Sequence, residues 1–364
     1  MASPVLNTGA KAGNLKTAAA FEQGSTWSTP VAVGASDGLW ITSESVQGGQ
    51  LPLERDTVGV PWGDIFDRGA QQHAGTVSGQ VWHGANWGRF VSFIFGTSGA
   101  PTQTPPTTGT TYLHNCDLAT SLTKFFTLVL ARRATSGDAL LWHEYDSCMI
   151  SRLNISGTGN GRVTWSATVV ANTLDKASAT NTTTQTDAVT VPTAQSACRF
   201  TQGLFRINAQ AGGALASPTD DIAISSFELD ISRSLSQDFL ADGTGELAKP
   251  AEQDVCAAML TVSLRSYDAD TWKAAYIAGT EYKADLKFLS GVTPTDGAEM
   301  YVQCQFPRMV VAEEPQANIA GRGRIGHTVR FKLLTASAAP TGMSGVTAPV
   351  RLNVLDENSS AYLA

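Results

Sequence analysis

Hydrophobic and polar side chains alternate along several stretches of the chain, as they do in half-buried β-strands. The clearest stretches are residues 39–46, 163–169, 328–334 and 350–355. Ser, Thr and 34 Gly residues are frequent between them, a composition that favours strands, turns and loops over long helices. The pattern therefore predicts a mainly β fold.

Helical spacing occurs in two short windows. In residues 87–95, apolar side chains fall at i, i+3, i+4 and i+7, which predicts a helix with one apolar face. A weaker window contains Trp272, Ala275 and Tyr276. The predicted boundaries are Asn86 and Gly96 for the first helix, and Asp268 or Asp270 and Gly279 for the second. We therefore expect two short helices, with Asn86 as a side-chain cap and the glycines as left-handed ends.

The chain repeats itself at an offset of 183 residues. Residues 39–43 align with 222–226, 77–81 with 260–264, and 94–97 with 277–280. The offset then falls to 159, because the first copy carries 24 extra residues that begin with a Pro/Thr-rich stretch, and it is 162 near the end. Internal repeats of this kind indicate tandem copies of one structural unit.

The repeat predicts tandem duplicated β-sandwich folds, each with one short flanking α-helix and a long inter-strand loop. The first copy would span residues 1–175, with an insert at 98–123, and the second copy residues 197–336. Residues 172–196 are predicted to form a linker or a long surface hairpin, and residues 337–364 a C-terminal tail.

Charge and cysteine content argue against several functions. The net charge is −7, and no run of Lys or Arg could follow a phosphate backbone, which disfavours tight nucleic-acid binding. Five cysteines without a C-x-x-C pair favour buried free thiols over a zinc site or a disulfide framework. The first 13 residues do not resemble a signal peptide, and the longest apolar run, residues 125–131, is too short to span a membrane.

Catalytic motifs occur only in unsuitable contexts. Residues 34–38 fit G-x-S-x-G and residues 321–326 fit G-x-G-x-x-G, but a strand-like segment follows each where a helix is required. His143 and Glu144 begin H-E-x-x-H, yet Ser147 takes the place of the second histidine. We therefore predict that the protein is not an enzyme and uses no cofactor or metal.

The order of strand, long loop, strand, short helix and hairpin, repeated once, resembles the tail tube proteins of long-tailed, siphovirus-like bacteriophages. Glu22 and Trp27 match the opening pattern of one tube-protein family, although Ser28 replaces the glycine usual after the aromatic residue. The resemblance covers most of residues 15–336. It implies a structural subunit of the virion tail that is assembled in the bacterial host cytoplasm.

In that family, six tube folds close a ring, and the rings stack into a hollow conduit for DNA delivery. Two folds per chain then imply a homotrimeric ring, with a hexamer as the fallback. The resemblance also implies tape-measure and tail terminator or tip proteins as partners. Double-stranded DNA would pass without specific binding, and no membrane insertion is expected.

Two sets of residues are candidates for assembly and DNA passage. Carboxylates that alternate with apolar neighbours would face the lumen and repel phosphate, although an outer solvated face is the alternative. They are Glu44, Glu228 and Asp230. The long segments at 47–75 and 233–254 would contact the neighbouring ring, or else pack as Ω-loops on their own domain. The inter-ring candidates are Leu53, Arg55, Trp62, Asp64, Phe66, Arg68, Asp238 and Phe239.

Two other functions fit the same patterns. One is another virion structural protein, such as a tail terminator, tip or decoration protein. The other is a carbohydrate-binding β-sandwich module that stacks sugars on exposed tryptophans. The candidate platforms are Trp40, Trp62, Trp82, Trp87 and Trp142, but their alternating or helical spacing favours burial.

Overall fold

A computed structural model describes residues 19–54, 66–84, 86–105, 109–133, 140–191, 196–241, 243–265, 270–295, 297–315, 317–318 and 326–363. This part of the chain is mainly β, as predicted, with large antiparallel sheets and three short α-helices. None of these helices has the length and apolar character needed to span a bilayer.

The strands of the first half are β1 (Ala19–Gly24), β2 (Gly38–Leu39), β3 (Ser43–Glu44), β4 (Gln47–Glu54), β5 (Phe66–Gln80), β6 (Trp82–His83), β7 (Thr102–Thr104), β8 (Thr111–Asp117), β9 (Phe125–Arg133), β10 (Leu140–Thr158), β11 (Thr164–Ala171) and β12 (Thr173–Asp175). Those of the second half are β13 (Ser196–Ala197), β14 (Gly203–Ala209), β15 (Ile224–Ser232), β16 (Ala257–Leu264), β17 (Glu281–Leu289), β18 (Tyr301–Val311), β19 (Ala317–Asn318), β20 (Gly326–Leu333) and β21 (Arg351–Asp356). The helices are α1 (Trp87–Phe95), α2 (Thr183–Asp187) and α3 (Thr271–Ala278), and a 3-10 turn covers Phe200–Gln202.

One antiparallel sheet runs through both halves of the chain. Its order is β3 and β4 beside β5, followed by β11, β10, β15, β16 and β20. The last part of β18, with β19, pairs with the far side of β20. We call this the continuous sheet. Because β10 pairs with β15, the two halves are joined edge to edge by backbone hydrogen bonds.

Most of the remaining strands pair in a second layer, while β6 and β13 form a separate two-stranded sheet. In the first half the first part of β10 pairs with β9, which pairs with β1. In the second half β18 pairs with β17, and β17 pairs with β14. Alternation fixes the buried face: along β20 every second residue is buried, beginning with His327. Phe90 of α1 lies between the layers, with ring centroids 5.3 Å from Trp165 and 5.4 Å from Phe126.

Corresponding elements recur at the repeat offsets. The first residues of β11 and β20 are 162 positions apart, and so are their last residues. Helices α1 and α3 lie where the sequence predicts the two helices. The pairing order β9–β10–β11–β5 recurs as β17–β18–β20–β16. Gly96 and Gly279 end α1 and α3 in the left-handed conformation, with φ of 79° and 61°. The predicted capping by Asn86 is wrong, because its amide donates to the carbonyls of Ser36 and Gly38 instead.

The insert and the tail connect the two halves. Strand β8 of the insert pairs with β21 of the tail, and β21 pairs with β18 of the second half. Arg351 makes two hydrogen bonds of 2.7 Å to the Asp117 carboxylate across β21 and β8. The predicted tail strand at 350–355 is confirmed as β21, while its partner in the insert could not be read from local sequence.

Several predicted loops are more ordered than expected. Residues 47–75, predicted as one long loop, include β4 and most of β5, which form a hairpin with a register shift between Gln50 and Pro52. Glycine and proline weaken the strand signal there, but cross-strand pairing overrides it. Within 172–196, Asn181 is buried and accepts a 2.8 Å hydrogen bond from the Val33 amide. This segment therefore packs on the first half.

Candidate assembly surfaces

The continuous sheet has one polar face. Directly paired residues of antiparallel strands share a face, so the register identifies rows of neighbours. One row is Gln80, Thr164, Ser156, Glu228, Thr261 and Arg330, and the next is Ser78, Ser166, Asn154, Asp230, Met259 and Lys332. The alternate residues, such as Val77, Leu153 and Leu260, are buried in the core. The result is a broad, hydroxyl-rich surface that crosses both halves of the chain.

The charges on this face are mixed in sign. Across the β10–β15 junction, Arg152 Nε lies 2.7 Å from Asp230 Oδ1, and Asn154 Nδ2 donates to Glu228 Oε1 at 2.6 Å. The hydrogen bond that Arg152 donates to the Asp230 carboxylate raises the pKa of Arg152, whose side chain is 58% exposed. Alternating polar and charged groups of both signs leave no basic stripe that could hold a phosphate backbone.

The three predicted lumen carboxylates do not lie together. Glu228 and Asp230 share the polar face. Glu44 pairs with Val77, whose side chain is buried, so its position belongs to the opposite face of the sheet. Its carboxylate accepts a 3.1 Å hydrogen bond from the Val46 amide. The register of the two-residue strand β3 decides which face of the sheet carries Glu44, and strand alternation in the sequence did not reveal that face.

The described parts of both long inter-strand segments lie at the same end of the continuous sheet. β5 and β16 run in the same direction, because three strands in alternating orientation separate them. The first residues of β5 belong to segment 47–75, and β16 follows segment 233–254. Of the predicted inter-ring residues, Leu53, Phe66 and Arg68 lie in β4 and β5, Asp238 is exposed, and Phe239 is half-buried and bridges Leu247. Arg55, Trp62 and Asp64 lie outside the described residues.

Aromatic side chains mark the opposite end of the sheet. The rings of Trp40 and Trp82 have centroids 6.1 Å apart, and the Arg162 guanidinium lies 5.7 Å from the Trp82 ring centroid. Trp40 is 45% exposed, whereas Trp87 and Trp142 are buried. Trp62 is outside the described residues. Only part of the predicted sugar-stacking set is therefore near the surface.

Arg233 is a buried junction residue that sequence reasoning placed only at the start of a loop. Its Nε donates to the Ile94 carbonyl at 2.9 Å and its Nη2 to the Ala119 carbonyl at 2.7 Å. Nη1 lies 2.7 Å from Glu252 Oε1, and the Arg233 side chain is fully buried. This residue of the second half thus binds the end of α1 and the insert of the first half.

The motifs with possible chemistry have structural roles in the described residues. Asp37, within the G-x-S-x-G match, is buried and pairs with Arg89 at 2.9 Å. Glu144 accepts a 2.7 Å hydrogen bond from the Ser178 hydroxyl. The G-x-G-x-x-G match lies outside the described residues except for its last glycine. In the part of the chain that the structure covers, His, Cys, Asp and Glu form no group of three that could hold a metal ion.

Cys198 lies beside His83, two residue types that form catalytic pairs in other proteins. Cys198 Sγ lies 3.4 Å from His83 Nε2. Burial raises the pKa of the Cys198 thiol and lowers the pKa of the His83 imidazole, so both stay neutral. Reactive cysteines need the opposite environment, one that stabilises the thiolate. Burial raises the pKa of Cys116 and Cys304 to about 12, and the four buried free cysteines agree with the predicted buried free thiols.

His83 should make the stability of the fold depend on pH. Its Nε2 lies 3.3 Å from the Phe288 carbonyl, across the junction of the two halves. Because burial lowers its pKa below the ordinary 6.5, the unfolded chain binds the proton first, and stability falls as the pH drops below 6.5. Between pH 7 and 5.5, we expect the free energy of unfolding to fall less for His83→Gln than for wild type. The difference between the two losses should be at most about 1.4 kcal/mol. Urea unfolding at both pH values measures this, and equal losses would contradict it.

A broad antiparallel sheet with one polar face and one core face is common among mainly β proteins, and the family comparison identifies the class. A family model described as phage tail tube protein matches residues 17–333. The chain therefore belongs to the phage tail tube protein family, which is a family of virion structural proteins. The comparison with curated proteins gives no match.

Proposed function

We propose that this chain is the repeating subunit of a tail tube of the siphovirus type, in which three chains form each ring. Each chain would contribute two tube folds, so the ring has pseudo-sixfold symmetry. The recurrence of β9–β10–β11–β5 as β17–β18–β20–β16 supports two equivalent units. A homotrimer is favoured over a hexamer because one chain already carries both units.

The β10–β15 junction is the observation that carries this proposal. It joins the two halves edge to edge by strand pairing. The continuous sheet has one edge strand region at each end. Among the described residues, β3 and β4 pair with β5 on one side only, and β19 pairs with β20 on one side only. Open edges favour pairing with another chain, and one such heterologous contact repeated three times closes a ring.

In this ring the polar face of the continuous sheet would line the bore. Hydroxyl and amide groups would offer DNA no basic track, and the Glu228 and Asp230 carboxylates would disfavour phosphate binding. Glu44, which lies on the other face, would not take part. The role is structural and non-enzymatic: DNA moves through the conduit during delivery and is not held by it.

Rings would stack with the end that carries both long segments against the Trp40 and Trp82 end of the next ring. Asp238 and Phe239 lie on the second of these segments. Leu240, beside them, is 60% exposed, which suits an interface residue better than a free loop. Tape-measure and terminator or tip proteins would cap and fill the tube, which is assembled in the host cytoplasm and becomes part of the virion.

A disulfide across the proposed ring contact tests this function. In the proposed ring, the repeat offsets predict that Ser45 would lie opposite Asn318 of the next chain, because Glu228 lies opposite Ser156 within the chain. We expect Ser45→Cys with Asn318→Cys to give covalent trimers on a non-reducing gel, because closed rings of three limit the product. The background is low, since four native cysteines are buried and the fifth is half-buried.

Each single-cysteine variant is the matched control and should remain uncross-linked. Negative-stain electron microscopy of the same samples should show rings or hollow tubes. Rings that never stack would favour a terminator or tip protein. Covalent hexamers would replace the trimer with the fallback arrangement, and protein that stays monomeric at all concentrations would contradict the proposed function.

A further inference from the structure

The two helices hold equivalent positions but differ in exposure. α1 follows the β5 region and α3 follows β16, and each ends at a left-handed glycine. At the repeat offset, Ile94 corresponds to Ile277 and Phe93 to Tyr276. Ile94 and Phe93 are 0% and 1% exposed, whereas Ile277 and Tyr276 are 75% and 41% exposed. The same turn is therefore covered in the first half and open in the second.

The cover on α1 comes from the second half and from the insert. The Arg233 guanidinium donates to the Ile94 carbonyl, and the Ala119 amide donates to the Phe95 carbonyl at 2.7 Å. A methyl group added at Gly96 would lie 3.0 Å from Leu122 and 3.2 Å from Ala119, which shows how closely the insert packs there. The second half has no equivalent of this insert.

Strand pairing brings the second half of the chain into contact with α1. β15 lies beside β10, and the chain that leaves β15 continues directly to Arg233 at the end of α1. In the proposed ring, the β3–β4 segment of the next chain takes the place of β15. The chain that follows β3 would then reach the end of α3 in the same way, and its sequence there includes Leu51, Pro52 and Leu53.

We propose that the last turn of α3 is a docking surface for the first half of a second copy of this chain, whose segment 43–54 covers Tyr276 and Ile277. The inference rests on the proposed ring. Around this apolar turn, the Lys273 and Glu314 side chains form an ion pair of 2.9 Å, which gives the surface a polar rim. An apolar centre with a charged rim is the usual composition of a protein interface.

Introducing a negative charge at the centre of this surface tests the proposal. We expect Ile277→Asp, and separately Tyr276→Asp, to raise the protein concentration needed for rings by about tenfold or more, because a carboxylate would be desolvated in the contact. The melting temperature of the unassembled protein should not change, since Ile277 is largely exposed. Val255→Asp is the matched control, because Val255 is 86% exposed but lines a cavity with Ala119 of the insert and Pro349 of the tail and is not part of α3, so it should leave ring formation unchanged.

A photo-reactive phenylalanine analogue at position 277 identifies the occupant. We expect it to cross-link to residues 43–54 of another chain, as read by mass spectrometry. A cross-link to a different segment, or rings that form normally with Ile277→Asp, would overturn the docking surface while leaving the tube function intact. Absence of rings in the wild-type protein would instead overturn the proposed function, and this inference with it.

Discussion

Replacing Arg233 with methionine is expected to destabilise the fold by about 3–5 kcal/mol, the cost of breaking a buried ion pair from one side. The side chain is fully buried and binds two backbone carbonyls as well as Glu252. Methionine preserves most of the volume, so the loss measures the hydrogen bonds and the charge. Urea unfolding followed by tryptophan fluorescence gives the free energy of unfolding.

Arg152→Met is the matched control for this prediction. Arg152 also pairs with a carboxylate at 2.7 Å across the junction of the two halves, but its side chain is 58% exposed. Solvent screens such a pair, and we expect a loss of no more than about 1 kcal/mol. If the two variants were equally stable, Arg233 would not hold the halves together.

Local pattern predicted the elements whose signal lies within a few residues. Alternation identified the strand that became β20, and helical spacing with Gly96 gave both ends of α1. The repeat located α3 although its own apolar stripe is weak, because the offset carries information that the window alone lacks. Each of these elements has one buried face along its own length, so the short-range spacing of its apolar residues predicts the element.

The pairings that build the assembly surfaces could not be predicted in the same way. β8 and β21 are separated by more than half the chain, and nothing in either strand specifies the other. The face of Glu44 depends on register, since a shift of one residue moves a side chain to the other face. Arg233 appeared to be a loop residue because its partners are mostly carbonyls, which have no side-chain signature.

The hydrogen bonds that connect the two halves are therefore mostly non-local, and they add to a hydrophobic core that both halves share. Strand pairing at β10–β15 supplies the lateral contact, and Arg233 and Arg351 add charged hydrogen bonds across the same boundary. The tail matters in this arrangement because β21 completes the sheet that joins the insert to the second half.

Tyr362 anchors this tail, and Tyr362→Ala is expected to destabilise the protein by about 3–5 kcal/mol, the usual cost of removing a buried aromatic ring. The ring is 2% exposed and stacks on His114 with centroids 3.8 Å apart. Its hydroxyl donates a 2.6 Å hydrogen bond to Asp356, and a methyl group added at Gly88 of α1 would lie 2.6 Å from the hydroxyl oxygen. The tail thus packs on the insert and on α1 together.

Tyr362→Phe separates the hydrogen bond from the packing. It keeps the stacked ring and removes only the donor to Asp356, so we expect a loss of about 1–3 kcal/mol. Thermal unfolding should rank wild type, Tyr362→Phe and Tyr362→Ala in decreasing order of stability, and limited proteolysis should cleave the alanine variant first near residue 350. If the alanine variant were as stable as wild type and equally resistant, Tyr362 would not anchor the tail, and the β8–β21 pairing and Arg233 would hold the insert to the second half without it.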